Sequence, residues 1–126
     1  MFRFTKSIFV ALAFLAFTPT LARPPGEMVC VKYGPCPLDV SAFACTDVVS
    51  SFVRRICYDR PNLFMVIKLK ETWYPYCAID GATVQALIAA ASVGTFYNQV
   101  IRSRPDGSHG PFDCRDHSIP IYPRDE

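Results

Sequence analysis

Thr72-Trp73-Tyr74-Pro75-Tyr76-Cys77-Ala78-Ile79 (T-W-Y-P-Y-C-A-I) is the stretch whose reading decides the fold. Tyr74 and Tyr76 lie two residues apart, so in a strand both side chains stand on one face. Pro75 has no amide hydrogen for a ladder, which predicts a strand at the edge of its sheet. Immediately before it, Leu63 to Lys70 alternates: Leu63, Met65, Ile67 and Leu69 on one side, Phe64, Val66, Lys68 and Lys70 on the other. Such alternation marks a half-buried strand, here the central one.

Earlier still, Ser50 to Asp59 (S-S-F-V-R-R-I-C-Y-D) carries the β-branched and aromatic residues of a strand, and Arg60-Pro61-Asn62 supplies a tight turn. Beyond the opening stretch, Asp80 is placed to cap a helix with Val84, Leu87, Ile88 and Ala91 at helical spacing. Ser92 is placed to cap a second helix with Val93, Phe96, Tyr97, Val100 and Ile101 on one stripe, ended by Pro105 and Gly107. The predicted fold class is α+β: a three-stranded antiparallel meander followed by two helices packed on one face, with a disulfide-tied N-terminal arm.

The Lys70-Glu71 turn sets which way the tyrosines point. With two residues in the turn, Ile67 pairs with Tyr74 and Met65 with Tyr76, and both tyrosines lie under the helices. With three, every side chain changes face and the tyrosines stand on the open side beside Lys68. Two-residue turns are the commoner hairpin connection, and that register is the expectation. The face left open then carries Phe64, Val66, Trp73, Pro75, Cys57 and Cys77 together with Arg55 and Lys68. An apolar surface of that kind needs a cover.

All six cysteines (Cys30, Cys36, Cys45, Cys57, Cys77 and Cys114) lie after the leader, an even set that predicts disulfides. Cys57 and Cys77 fall on the two outer strands, about 9–10 Å apart, beyond the roughly 7 Å that a disulfide spans. Each is therefore expected to pair with a cysteine of the arm or the tail, and the arm to lie across the open face. Tyr33 to Pro37 is turn material that allows a Cys30–Cys36 loop. No C-x-x-C pair occurs, which argues against structural zinc.

Residues 1–22 read as a secretory signal: Arg3 and Lys6, an apolar run from Ile8 to Phe17, then Thr20-Leu21-Ala22. The run is about half of what a membrane helix needs. Residues 23–49 form the cysteine-bearing arm, with one helical turn expected near Asp39 to Ala44, residues 50–104 the domain, and residues 105–126 an irregular proline-rich tail. The chain holds 13 basic and 11 acidic residues. Two of the basic ones leave with the leader, so the processed chain is formally neutral. Its domain remains mildly basic between acidic flanks, which excludes a strongly basic nucleic-acid domain.

Tyr74-Pro75-Tyr76, the S-S-F-V-R-R-I-C-Y-D segment and Ser92 to Arg102 (S-V-G-T-F-Y-N-Q-V-I-R) together resemble the KTSC domain, a short module also found at the C-terminus of some lysyl-tRNA synthetases. The matching markers are Tyr74, Tyr76, Ser92, Gly94, Asn98, Ile101 and Arg102. Cys57 and Asp80 depart from the pattern, where a small residue and a proline are expected. The resemblance implies a bacterial protein, hence a periplasmic or secreted location. It brings no assigned activity, although RNA binding has been suggested for the family.

Three functional readings follow. The first is a non-enzymatic binding module for an unknown protein or polymer in the periplasm, with no cofactor, no metal and no membrane attachment after processing. Its candidate contact residues are Tyr74, Tyr76, Trp73, Arg55, Lys68 and Arg102. The second is nucleic-acid binding through stacked tyrosines and neighbouring cations. The third is a hydrolase using His117 with Asp113 or Asp116, which requires Cys114 unpaired or a metal bound.

Overall fold

A computed structural model describes residue 13, residues 26–102 and residues 104–123. The leader assigned to residues 1–22 lies, apart from Ala13, outside the described residues. Six strands and two helices follow in order: β1 (Met28–Val29), β2 (Leu38–Asp39), β3 (Ala44–Asp47), β4 (Val53–Asp59), β5 (Phe64–Leu69), β6 (Thr72–Tyr76), α1 (Gly81–Ala89) and α2 (Val93–Phe96).

The meander is there, but within a larger sheet. β3, β4, β5 and β6 form a four-stranded antiparallel sheet in that order, and β1 pairs with β2 in a second, two-stranded sheet. The register of the last hairpin is Ile67 opposite Tyr74 and Met65 opposite Tyr76, as a two-residue Lys70-Glu71 turn requires. Cys57 faces Val66 and Arg55 faces Lys68 across the first hairpin. A bulge between Val53 and Arg55 lets Val53 join the same core as Ile56.

Each face of the sheet has its own core. Ile56, Tyr58, Met65 and Ile67 pack with Ile79, Val84, Leu87 and Ile101 from the helical side. On the other face Cys57, Phe64, Val66 and Trp73 are covered by Val29, Val31, Leu38 and Val40 of the arm. Phe64 to Ile67 are all buried, so the alternating strand is covered on both sides. Burying a side chain of this size contributes about 1.5–3 kcal/mol. Disulfides fasten the cover: Cys45–Cys57 joins arm to β4, Cys77–Cys114 joins the end of β6 to the tail, and Cys30–Cys36 closes a loop within the arm.

Several expectations are corrected. The fourth strand comes from the arm: Cys45 lies directly opposite Cys57, and β3 takes up the open edge of β4. Ala44-Cys45-Thr46-Asp47 has no apolar alternation to announce it; the strand forms because an unpaired edge and a cross-strand disulfide hold it there. Leu38–Asp39 and Ala44–Asp47 are strands, so no helical turn spans Asp39 to Ala44. β4 begins at Val53, because Ser50 caps the bend before it, its Oγ accepting from the amides of Phe52 and Val53.

The second helix is not one continuous α-helix. Four α-helical residues from Val93 pass into a wider π-turn over Tyr97–Ile101, closed by the amide of Arg102 donating to the Tyr97 carbonyl. The wider turn buries Tyr97 and Ile101 and leaves Val100 exposed, against the apolar stripe expected of it. Ala91 also lies outside α1 and is exposed. The tail contains a 3₁₀ turn at Cys114–Asp116 capped by Asp113, and it packs Phe112 onto one core and Tyr122 onto the other.

The two caps read from sequence are made. Asp80 accepts from the Thr83 amide, and Ser92 Oγ accepts from the Thr95 amide at 3.2 Å. Gly94 is needed for space. A Cβ there would sit 2.8 Å from the Phe52 ring, which in turn packs edge-on against Tyr97.

Two stability measurements check this architecture. Replacing Cys45 and Cys57 together by Ala should lower the unfolding free energy by about 2–4 kcal/mol, read by urea titration, with the largest loss of amide protection in β3. Gly94→Ala should be destabilising by about 1 kcal/mol, because overpacking of about 1–3 kcal/mol outweighs the gain in helix propensity. In a Phe52→Leu background that loss should shrink or vanish; an undiminished loss would rule out the proposed contact.

Candidate functional site

The β5–β6 hairpin tip, the bend before β4 and the π-turn border an open, shallow cleft of about 780 Å³. Each wall has a local cause. Lys70 occupies the hairpin tip in the left-handed region at φ 53°, and its amide donates to the Phe52 carbonyl at 2.7 Å, tying the hairpin to the bend. A residue other than glycine is held in that region only when its surroundings over-determine it. Arg102 follows the π-turn, and its Nη1 donates to Asn98 Oδ1 at 3.2 Å, which fixes the guanidinium beside Asn98 in the lining of the cleft.

Tyr74, Tyr97 and Phe52 line the floor. Tyr97 packs edge-on against Tyr76 and Phe52, with ring centroids 6.0 and 5.8 Å away, and the Tyr76 and Tyr97 hydroxyls share a hydrogen bond. Burial pushes the Tyr76 hydroxyl well above the ordinary phenol range, and the adjacent Tyr97 adds to the rise. Burial also raises Tyr97, partly offset by its hydrogen bond with Tyr76. Both groups are therefore neutral hydroxyls, not anions. Among the described residues, Lys70 and Arg102 are the charged residues lining the cleft, and no carboxylate lines it.

Of the six residues singled out from sequence, the fold brings Tyr74 and Arg102 into the lining of the cleft and sets Tyr76 behind it, hydrogen-bonded to Tyr97. It sends Trp73, Arg55 and Lys68 to the other face. Trp73 is buried beneath the arm, bridged to Val31. Arg55 is engaged by Glu27 at 2.8 Å and Asp47 at 3.3 Å, and its buried Nε has no hydrogen-bond partner among the described residues. Lys68 sits opposite both Arg55 and Trp73 on the arm side. The single period-two step between Trp73 and Tyr74 accounts for the division.

Sequence reasoning missed Lys70, Phe52 and Tyr97 as lining residues. Asn98 and Arg102 are four apart, the spacing that places two side chains side by side on a helical turn. That spacing was a usable signal. Lys70 and Phe52 had none, because their proximity depends on a contact between two turns.

The residues of the hydrolase reading are otherwise engaged. Cys114 is in a disulfide, Asp113 forms a forked pair with Arg115 at 2.7–3.2 Å, and His117 Nε2 lies 3.0 Å from the Pro111 carbonyl. His109 Nδ1 meets Asp116 at 3.0 Å instead. No cluster of three metal-ligating side chains occurs among the described residues, and no described helix is long and apolar enough to cross a membrane.

The segment that builds the cleft is also the one with known relatives. Residues 49–104 match the family model of the KTSC domain. Among solved structures, the crystal structure of a KTSC domain protein from Yersinia pestis is similar at 28% identity, with a TM-score of 0.47, over 49% of this chain and 89% of that one. No curated protein matches the chain. The match to the KTSC domain spans residues 49–104, set between an arm and a tail that disulfides bind to its sheet.

Proposed function

We propose that the chain is a small exported, non-enzymatic binding module whose KTSC domain receives an anionic ligand in the cleft between Lys70 and Arg102. The observation that carries this reading is the charge of the lining: among the described residues it holds two cations, Lys70 and Arg102, and no carboxylate. Asn98, Tyr74 and Tyr97 add polar side chains around the same space. No cofactor is invoked.

Export is supported by the three-part leader and by the state of the cysteines. All six are disulfide-bonded, which supports folding in an oxidising environment, and the periplasm or the cell exterior is the compartment that suits both observations. Catalysis is not part of the reading, since Cys114, Asp113 and His117 are each committed to a structural partner.

Nucleic acid is the second reading. Tyr74 beside two cations in the cleft favours it, because a base can stack on the ring while a phosphate meets the cations. Against a broad platform stands the burial of Trp73 and the capture of Arg55 on the sealed face.

Calorimetric titration of the processed, oxidised protein with an acidic peptide and with a single-stranded oligoribonucleotide tests both. Binding of the peptide should weaken with salt, and Lys70→Gly and Arg102→Gln should each weaken it about three- to tenfold, as loss of one charge-assisted contact predicts. Glycine suits the φ of 53° at position 70, so that variant should keep or gain stability. Affinity indifferent to both substitutions would exclude the cleft. Preference for the oligonucleotide at equal charge would select the second reading.

A further inference from the structure

Beside the cationic cleft, and sharing Tyr74 with it, lies a second groove of about 630 Å³. It is the gap the two flanks leave in the edge of the sheet. The arm closes β6 at Trp73, where the Lys32 amide donates to the Trp73 carbonyl at 2.9 Å. The tail closes it at Cys77, whose amide donates to the Phe112 carbonyl at 2.8 Å. Between these closures, about 13 Å apart along an extended strand, stands Pro75, which has no amide to offer.

Tyr33, Tyr74, Pro75 and Tyr76 line this gap, with Ile119 and the Asp113–Arg115 pair at its tail side. Tyr33 is placed there at a cost. It is a bulky residue at φ 61°, 78% exposed, at the tip of the Cys30–Cys36 loop. The loop is seated close to Pro75: a Cβ on Gly34 would come within 3.3 Å of Pro75 Cγ. Ile119 of the tail reaches the groove, and Pro120 follows beside Pro35 and Pro37.

We propose that this groove binds a proline-rich segment in the polyproline II conformation, carrying an acidic end that reaches the cleft of Lys70 and Arg102. A strand-adding peptide needs amides and carbonyls from the sheet edge, and the edge at Pro75 gives no donor. A polyproline II segment needs none, because its backbone has no ladder to complete and its rings pack against aromatic side chains. Tyr74 lines both spaces, so a single extended ligand passes from one to the other across its ring. The inference deepens the anion-binding reading and rests on it.

Three short amidated peptides separate the two ideas when titrated into the processed, oxidised protein: a proline-rich one ending in two aspartates, its twin ending in two asparagines, and a Gly/Ser peptide ending in two aspartates. The first should bind at least about tenfold more tightly than either of the others. Tyr33→Ser, at an exposed loop tip, should weaken the first about fivefold and leave the Gly/Ser peptide unchanged. Lys70→Gly should weaken both aspartate peptides. If the Gly/Ser peptide equals the first and Tyr33→Ser is silent, the groove proposal fails while the anionic cleft stands. If the asparagine twin equals the first and Lys70→Gly is silent, the cleft and the composite site both fail. Absence of binding by all three overturns both.

Discussion

Phe64, Val66 and Trp73 stand on the side of the sheet that the helices do not reach, and the parts of the chain outside the KTSC segment are arranged to keep water off them. A sheet of three strands with two helices on one face leaves its other face to be solvated or covered. Here that face is apolar, so it is covered. The arm brings Val29, Val31, Leu38 and Val40, and the tail adds Tyr122, whose ring lies 5.6 Å from Phe64. An arm with strands only two to four residues long has little cooperative structure of its own. Covalent links from Cys45 and Cys114 to the two outer strands of the meander offset the entropy of holding the cover in place.

The same arrangement determines where a ligand has room. Covering the arm side buries Trp73 and engages Arg55 in ion pairs, while the cleft between sheet and π-turn stays open. Three features meet there. A non-glycine residue sits in a left-handed turn at Lys70, a π-turn replaces regular helix at Tyr97–Ile101, and a proline stands in an edge strand at Pro75. Each departs from regular secondary structure, and each directs a side chain or frees a stretch of backbone at the clefts. Departures of this kind gather at sites of function because a purely stabilising sequence would not retain them.

Much of the sheet was legible from residues 63 to 79. The alternation from Leu63 to Leu69, the length of the Lys70-Glu71 turn and Pro75 were enough to predict the edge strand, the register and the face taken by the tyrosines. The separation of Cys57 from Cys77 followed from the same strand order, and so did the need for partners in the arm and the tail. The caps at Asp80 and Ser92 could be read because capping depends only on residues three apart. Less could be read wherever neighbours in space are distant in the chain. β3 has no periodic signature and exists because β4 offers an edge. The cleft depends on the Lys70 amide meeting the Phe52 carbonyl, a pairing between two turns that no local pattern announces.

By itself, then, the sequence determined the local rules: which segments extend, which residues share a face, which cysteines are barred from each other, and which residues resemble a KTSC domain. These depend on side-chain period, turn length and capping, all of which act over a few residues. Only the tertiary structure decided that the arm contributes a fourth strand, that the helix ending in Arg102 opens into a π-turn, and that arm and tail leave Pro75 half-exposed between them. Those outcomes are set by the packing of one edge or face against a remote segment, where burial and long-range hydrogen bonds outweigh local preference.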